Sequence, residues 1–140
     1  MNLSAKTEYA CLAMLELAKE YDSGEPVQLR RIAAGHGIPA RFLVQILLQL
    51  KGASLVASTR GAAGGYRLAR SPQDITLADV IDVMEGDDRP TSNAAKSSPL
   101  VRALLVFCRE LNDLERDRLE AESLADLVSA VTQHEPMYFI

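Results

Sequence analysis

Residues 39–72 read PARFLVQILLQLKGASLVASTRGAAGGYRLARSP. In the first part of this stretch Leu43, Ile46, Leu47 and Leu50 recur at i, i+3, i+4 and i+7, the spacing of one apolar helix face. Pro39, with its φ already fixed, suits the first turn of that helix, which is expected to run over 39–51. The opposite face carries Arg41, Gln45, Leu48 and Gln49, so an anchored rod projects hydrogen-bond donors from one side, with Leu48 the odd member. After Lys51-Gly52 the pattern changes. Residues 55–59 and 66–69 read as short strands joined by Arg60-Gly61-Ala62-Ala63-Gly64-Gly65, a hairpin whose tip is flanked by Arg60 and Arg67. Glycines there permit either close approach to another surface or simply a tight turn. The G-x-x-G-G spacing is not the G-x-G-x-x-G of a dinucleotide site, and the strand-to-helix setting of such a site is missing.

Upstream, Ser4 can cap a first helix running to about Tyr21, with Ala10, Met14, Leu17 and Tyr21 on one stripe and Cys11, Leu15 and Ala18 beside it. Two stripes predict a largely buried helix. A turn at 22–26 precedes a short helix carrying Leu29, Ile32 and Ala33, ending near His36 and stopped by Gly37. Downstream, Thr76 with Asp79 resembles a capping box for a helix through Leu77, Val80, Ile81 and Met84, ended by Gly86. The polar run 87–98 reads as a mobile loop. Ser98-Pro99 then opens a long helix on which Leu100, Leu104, Phe107, Leu111 and Leu114 repeat with coiled-coil spacing, braced by Arg116 with Glu120 and Arg118 with Glu122. A final helix through Leu124, Leu127, Val128 and Val131 is expected to give way to a tail at Pro136. The long helix carries more apolar surface than one small core covers, which favours a homodimer over packing against the first helix.

The order helix, short helix, tight turn, helix, two-strand hairpin is that of a winged helix-turn-helix. The expected fold is therefore mainly α with a small β-hairpin: a winged domain over 1–75 and a helical dimerisation region over 76–140.

Charge supports that reading. The 140 residues carry a net charge of -4, yet residues 1–72 hold nine Lys and Arg against five Asp and Glu, while 73–140 hold six against fourteen. No acid occurs between Glu25 and Asp74, whereas Arg30, Arg31, Arg41, Lys51, Arg60, Arg67 and Arg70 do, so that block is +7. Such a block attracts a polyanion, although a merely solvated face is the competing reading. Arg41, Gln45 and Gln49 can donate to base edges or phosphates in a major groove, if they are not simply an exposed helix face, and Arg60 is the cation the wing offers to the backbone or minor groove. Nothing in the sequence suits catalysis: Glu8, Cys11, His36, Cys108 and His134 form no nucleophile-and-base constellation. The two cysteines are too few and too far apart for a disulfide framework. No apolar run approaches the roughly 20 residues of a membrane helix, and Met1-Asn2-Leu3 lacks a basic leader, so a cytoplasmic protein without a membrane partner is expected.

Pro39-Ala40-Arg41-Phe42-Leu43, Ile46-Leu47, Ser58-Thr59-Arg60-Gly61, Gly64-Gly65-Tyr66-Arg67-Leu68-Ala69-Arg70-Ser71-Pro72, Ile75-Thr76-Leu77 and Glu85-Gly86 together resemble the winged-helix regulators related to IscR, NsrR and CymR, the Rrf2 family. The resemblance covers residues 1–86 closely and implies a homodimeric transcription factor, usually a repressor, on a pseudo-palindromic operator of double-stranded DNA. It implies DNA contacts at Arg41, Phe42, Gln45, Gln49 and Arg60, with wing backbone around Gly64 and Gly65. Charge and position add Arg30, Arg31, Lys51, Thr59 and Gly61 to that interface, and the long helix resembles the family's dimerisation helix. Many relatives hold an iron–sulfur cluster through three cysteines in the loop after Glu-Gly, but residues 87–99 contain none, so no cofactor is expected. One branch uses a first-helix carboxylate and an imidazole before the recognition helix, positions matched by Glu8 and His36; with Cys108 alone as a thiolate, this set is a poor cluster site. Val44 stands where relatives often carry an acid, so the base preference differs. An effector, if one acts, is expected to change the angle between the two reading heads through the polar loop and long helix. The alternative reading is a protein-interaction module with weak DNA binding.

Overall fold

The structure, a computed structural model, describes residues 2–86, 90–92, 94 and 98–138, with backbone alone beyond Val131. Its elements are α1 (Ala5–Lys19), a 3-10 turn at Tyr21–Ser23, α2 (Leu29–His36), α3 (Ala40–Gly52), β1 (Val56–Thr59), β2 (Gly65–Leu68), α4 (Leu77–Glu85), α5 (Pro99–Glu120) and α6 (Leu124–Tyr138). This is the mainly helical architecture with one hairpin that the hydrophobic periodicities predict.

α1 begins where Ser4 accepts a hydrogen bond from the Thr7 amide at 3.2 Å. Ala10, Ala13, Met14 and Leu17 are fully buried, with Cys11 and Ala18 beside them, because α1 is the axle against which α3, α4 and α6 pack. Tyr21 departs from the expected stripe: α1 ends at Lys19, and Tyr21 lies exposed in the 3-10 turn. Gly37 closes α2 in the left-handed conformation at φ 63°, where a side chain would be strained. Pro39 is the N-cap of α3 rather than its first helical residue, its ψ of 127° being extended. The strands pair antiparallel with Val56 opposite Leu68 and Thr59 opposite Gly65; β1 starts one residue later than the sequence suggests, and β2 lies one residue earlier at both ends.

The capping box on α4 is present, Thr76 accepting from the Asp79 amide at 3.2 Å while Asp79 accepts from the Thr76 amide at 2.9 Å. A second reciprocal pair, Ser123 with Asp126, starts α6. The two N-termini are laced by backbone bonds from Leu77 N to Glu122 O and from Leu124 N to Ile75 O. Ile75, Val80, Ile81 and Leu124 thereby join the core of α1 and α3. α6 takes the face of α1 that would otherwise have been open to the long helix, and α5 rests on α4 instead. α6 also continues to Tyr138, past Pro136, where a tail is expected; a proline inside a helix forfeits one backbone hydrogen bond without necessarily ending it. Most of the run 87–98 lies outside the described residues.

Candidate nucleic-acid interface

α3 is held by Leu43, Ile46, Leu47 and Leu50, each at most 2% exposed, so its outward face has a fixed aim. Arg41, Phe42, Val44, Gln45, Leu48, Gln49 and Lys51 are all exposed. The Arg41 guanidinium lies 5.1 Å from the centre of the Phe42 ring, within cation–π range. Phe42, Gln45 and Gln49 form one wall of a half-open cleft of about 530 Å³ against Ala5, Lys6 and Tyr9 of α1. Lys6 and Tyr9 carry no periodicity signal toward α3; only the packing of α1 brings them there.

The wing is tied to both helices of the helix-turn-helix. Lys51 Nζ donates to Ser58 Oγ at 2.7 Å, joining the end of α3 to β1. On the other side Val27 and Tyr66 exchange backbone hydrogen bonds of 2.8 Å each, so Val27 adds a third, one-residue rung to the hairpin. Gln28, the N-cap of α2, reaches the wing tip with Nε2 donating to Ala62 O at 3.4 Å, and accepts from Arg30 Nε at 3.1 Å. Gln28, Leu29, Thr59, Arg60, Gly61 and Tyr66 line a shallow polar recess of about 430 Å³ between that helix start and the wing. Thr59 and Arg60 thus face this recess from the wing, and Arg30, exposed on α2, is linked to it through Gln28. Sequence reading overlooks Gln28, whose placement depends on the Val27–Tyr66 rung.

Two glycines are required by the chain itself. A Cβ on Gly64 would lie 2.1 Å from Thr59 O and 2.9 Å from Gly61 O, and one on Gly65 would lie 2.5 Å from Val27 O. Gly64 is buried in the turn, while Gly61, at φ 104°, sits at the open tip, where an added Cβ would meet nothing within 4 Å. Arg31 is set apart from the wing edge by its partner, Glu20 Oε1 at 2.8 Å near the end of α1.

The carboxylate–imidazole–thiolate set is not drawn into one site by any contact. Glu8 is exposed on the first turn of α1, and His36 Nε2 lies 3.1 Å from Glu16 Oε1. Cys108 is half-buried on α5 beside Pro90 and Leu111. Among the described residues no group of three His, Cys, Asp or Glu side chains converges as a metal site. Cys11 is packed in α1, where burial and, secondarily, the nearby Glu85 carboxylate push its thiol up to about 11, unsuited to thiolate ligation at neutral pH. With two cysteines in the chain, one of them so placed, the donors do not fit a three-thiolate cluster.

A family model described as Rrf2, iron-dependent transcriptional regulator, matches residues 3–130. The chain is 35% identical over 138 residues to the HTH-type transcriptional regulator CymR of Bacillus subtilis, covering 99% of this chain and 97% of that protein. It is similar to the solved structure of B. subtilis CymR, the global cysteine regulator, with a TM-score of 0.80, covering 93% of this chain and 98% of that one. The IscR structure from T. potens follows with a TM-score of 0.77 and 30% identity, covering 94% of this chain and 88% of that one. These relatives are transcriptional regulators, not enzymes, and no helix among the described residues is long and apolar enough to cross a membrane. The chain accordingly belongs to the Rrf2 family of helix-turn-helix transcriptional regulators.

Proposed function

We propose that the protein is a homodimeric repressor that reads a pseudo-palindromic operator with α3 and the wing at 60–65. The observation that carries this reading is α5. None of its residues is buried, and Leu100, Leu104, Phe107, Leu111 and Leu114 are between 50 and 83% exposed in a heptad row. A row of that size facing water is costly, and pairing two copies covers it while presenting two reading heads. Repression needs only occupancy of promoter DNA, which such a pair supplies. In this reading no three-thiolate cluster takes part, and an effector acts by changing the angle between the heads; the support is the cysteine-free stretch 87–99 and the exposed lever of α5.

The test is light scattering of the full chain together with a gel shift on the DNA upstream of its own gene across a salt series. A dimer mass, a steep loss of affinity with salt and a two-fold symmetric footprint are expected. A monomer, or an association indifferent to salt, would remove the reading.

A further inference from the structure

The reading face of α3 is not uniformly polar. Between Arg41 at its start and Lys51 near its end, Val44 and Leu48 stand one turn apart, 37 and 54% exposed, and belong to no part of the core. Leu48 sits opposite the buried stripe, beside Gln45, where a helix lying in a groove comes nearest the base edges. An aliphatic pair in the middle of a surface built to meet phosphates loses hydration without return unless the partner offers an apolar group there. In the major groove only thymine does, through its 5-methyl. The surroundings agree: glutamine is suited to adenine, so Gln45 and Gln49 can read the purine while Val44 and Leu48 cover the methyl of the same or the neighbouring A·T pair. No carboxylate lies between Glu25 and Asp74 to accept from a cytosine amino group.

Resting on the DNA-reading role of α3, we propose that Val44 and Leu48 are specificity-determining residues that recognise thymine methyl groups in each half-site. The occupant is fixed by charge: Arg41 and Lys51 flank the patch on the same helix, which suits a polyanion and disfavours a second cationic head.

The test uses the full chain and a duplex taken from its own footprinted site, with thymines under α3 replaced one at a time by deoxyuridine, which lacks only the methyl. Burying one methyl-sized group is worth about fourfold in affinity, so symmetric replacement in both half-sites should weaken binding roughly 10- to 20-fold. Leu48→Ala should bind the thymine duplex more weakly and discriminate thymine from uracil by less than about twofold. Placing 5-methylcytosine where cytosine replaces a sensitive thymine should restore part of the lost affinity, since its methyl occupies the same place in the groove. Equal binding of thymine and uracil duplexes by the wild-type chain would overturn the methyl readout, as would undiminished discrimination by Leu48→Ala. A change of oligomeric mass in Leu48→Ala would also overturn it, making the patch a contact between copies. Failure to bind either duplex would instead defeat the DNA-reading role itself.

Discussion

Replacing Gly65 by alanine tests the link between the glycine-rich sequence and the wing. The added Cβ would meet Val27 O at 2.5 Å and Val27 C at 2.7 Å, both backbone atoms of a residue only 2% exposed. Relief requires β2 to retreat from Val27 by at least half an ångström. Two backbone hydrogen bonds of 2.8 Å lie in the way, Val27 N to Tyr66 O and Tyr66 N to Val27 O. Each is worth about 1 kcal/mol net, and disturbed packing of Val27 adds to that, so Gly65→Ala should cost about 2–3 kcal/mol. For a chain of 140 residues this is a fall of roughly 6–15 °C in Tm, read by circular dichroism. DNA affinity should fall as well, because the wing loses its hold on the start of α2 while α3 keeps its own anchors. Gly35→Ala is the control: that glycine lies inside α2 with nothing within 4 Å of its would-be side chain, and alanine there should raise stability by about 0.5–1 kcal/mol. If Gly65→Ala melted with or above the wild type, the Val27 rung would not be what holds the wing, and the argument from the glycine pair would fail.

Arg60→Ala should weaken operator binding at constant dimer mass and reduce the slope of log affinity against log salt by about 2, one phosphate contact from each wing; an unchanged slope removes Arg60 from the backbone. Leu104, 63% exposed, should contribute about 1 kcal/mol per copy when covered, so Leu104→Ala in both copies raises the dimer Kd about 30-fold by analytical ultracentrifugation, and an unaltered Kd places the interface elsewhere. Burial and then Glu85 raise the Cys11 thiol to about 11, so the native state holds that proton more tightly than the unfolded chain. Stability from this group is whole below the unfolded thiol value of about 8.5 and is lost as pH rises toward 11; denaturant midpoints should drop across that window and Cys11→Ala should flatten the drop.

What could be read from the sequence, and what could not, divides by the range of the interaction. Apolar periodicity and local caps located every helix, because Leu43, Ile46, Leu47 and Leu50 need one buried face whatever they pack against, and Ser4 and Thr76 act within three residues of themselves. The Arg116–Glu120 and Arg118–Glu122 pairs, one turn apart, were equally visible. Contacts across the fold left no periodic trace: the Val27 rung, the Gln28 bond to the wing tip, and the second partner of Arg116, Asp82 of α4, all join segments far apart in sequence. Within the candidate interface the consequence is specific. Charge marked Arg30, Arg41, Lys51 and Arg60, but charge alone also marked Arg31, which is paired with Glu20, and it could not mark Gln28 or the aliphatic pair on α3.

The Arg116–Asp82 contact bears on how two heads would meet one duplex. Arg116 fastens α4, and with it the reading head, near the C-terminal end of α5, whereas the exposed row is centred on Phe107. Nine residues of helix separate those points, about 13.5 Å at the α-helical rise. If two copies pair about a two-fold axis through Phe107 with α5 antiparallel, the anchor points stand about 27 Å apart along the rod, and the heads beyond them can reach major grooves one turn apart, roughly 34–36 Å. A parallel pair would bring both anchors to the same end and press two blocks of +7 together without DNA between them. In the proposed dimer, an antiparallel pair would thus meet the half-site spacing and keep the two cationic blocks apart. It also gives Arg116→Ala a distinct expected effect, in which dimer mass is retained while tolerance for altered half-site spacing widens slightly, because one of the ties between each head and the rod is gone while the Leu77–Glu122 and Leu124–Ile75 backbone bonds remain.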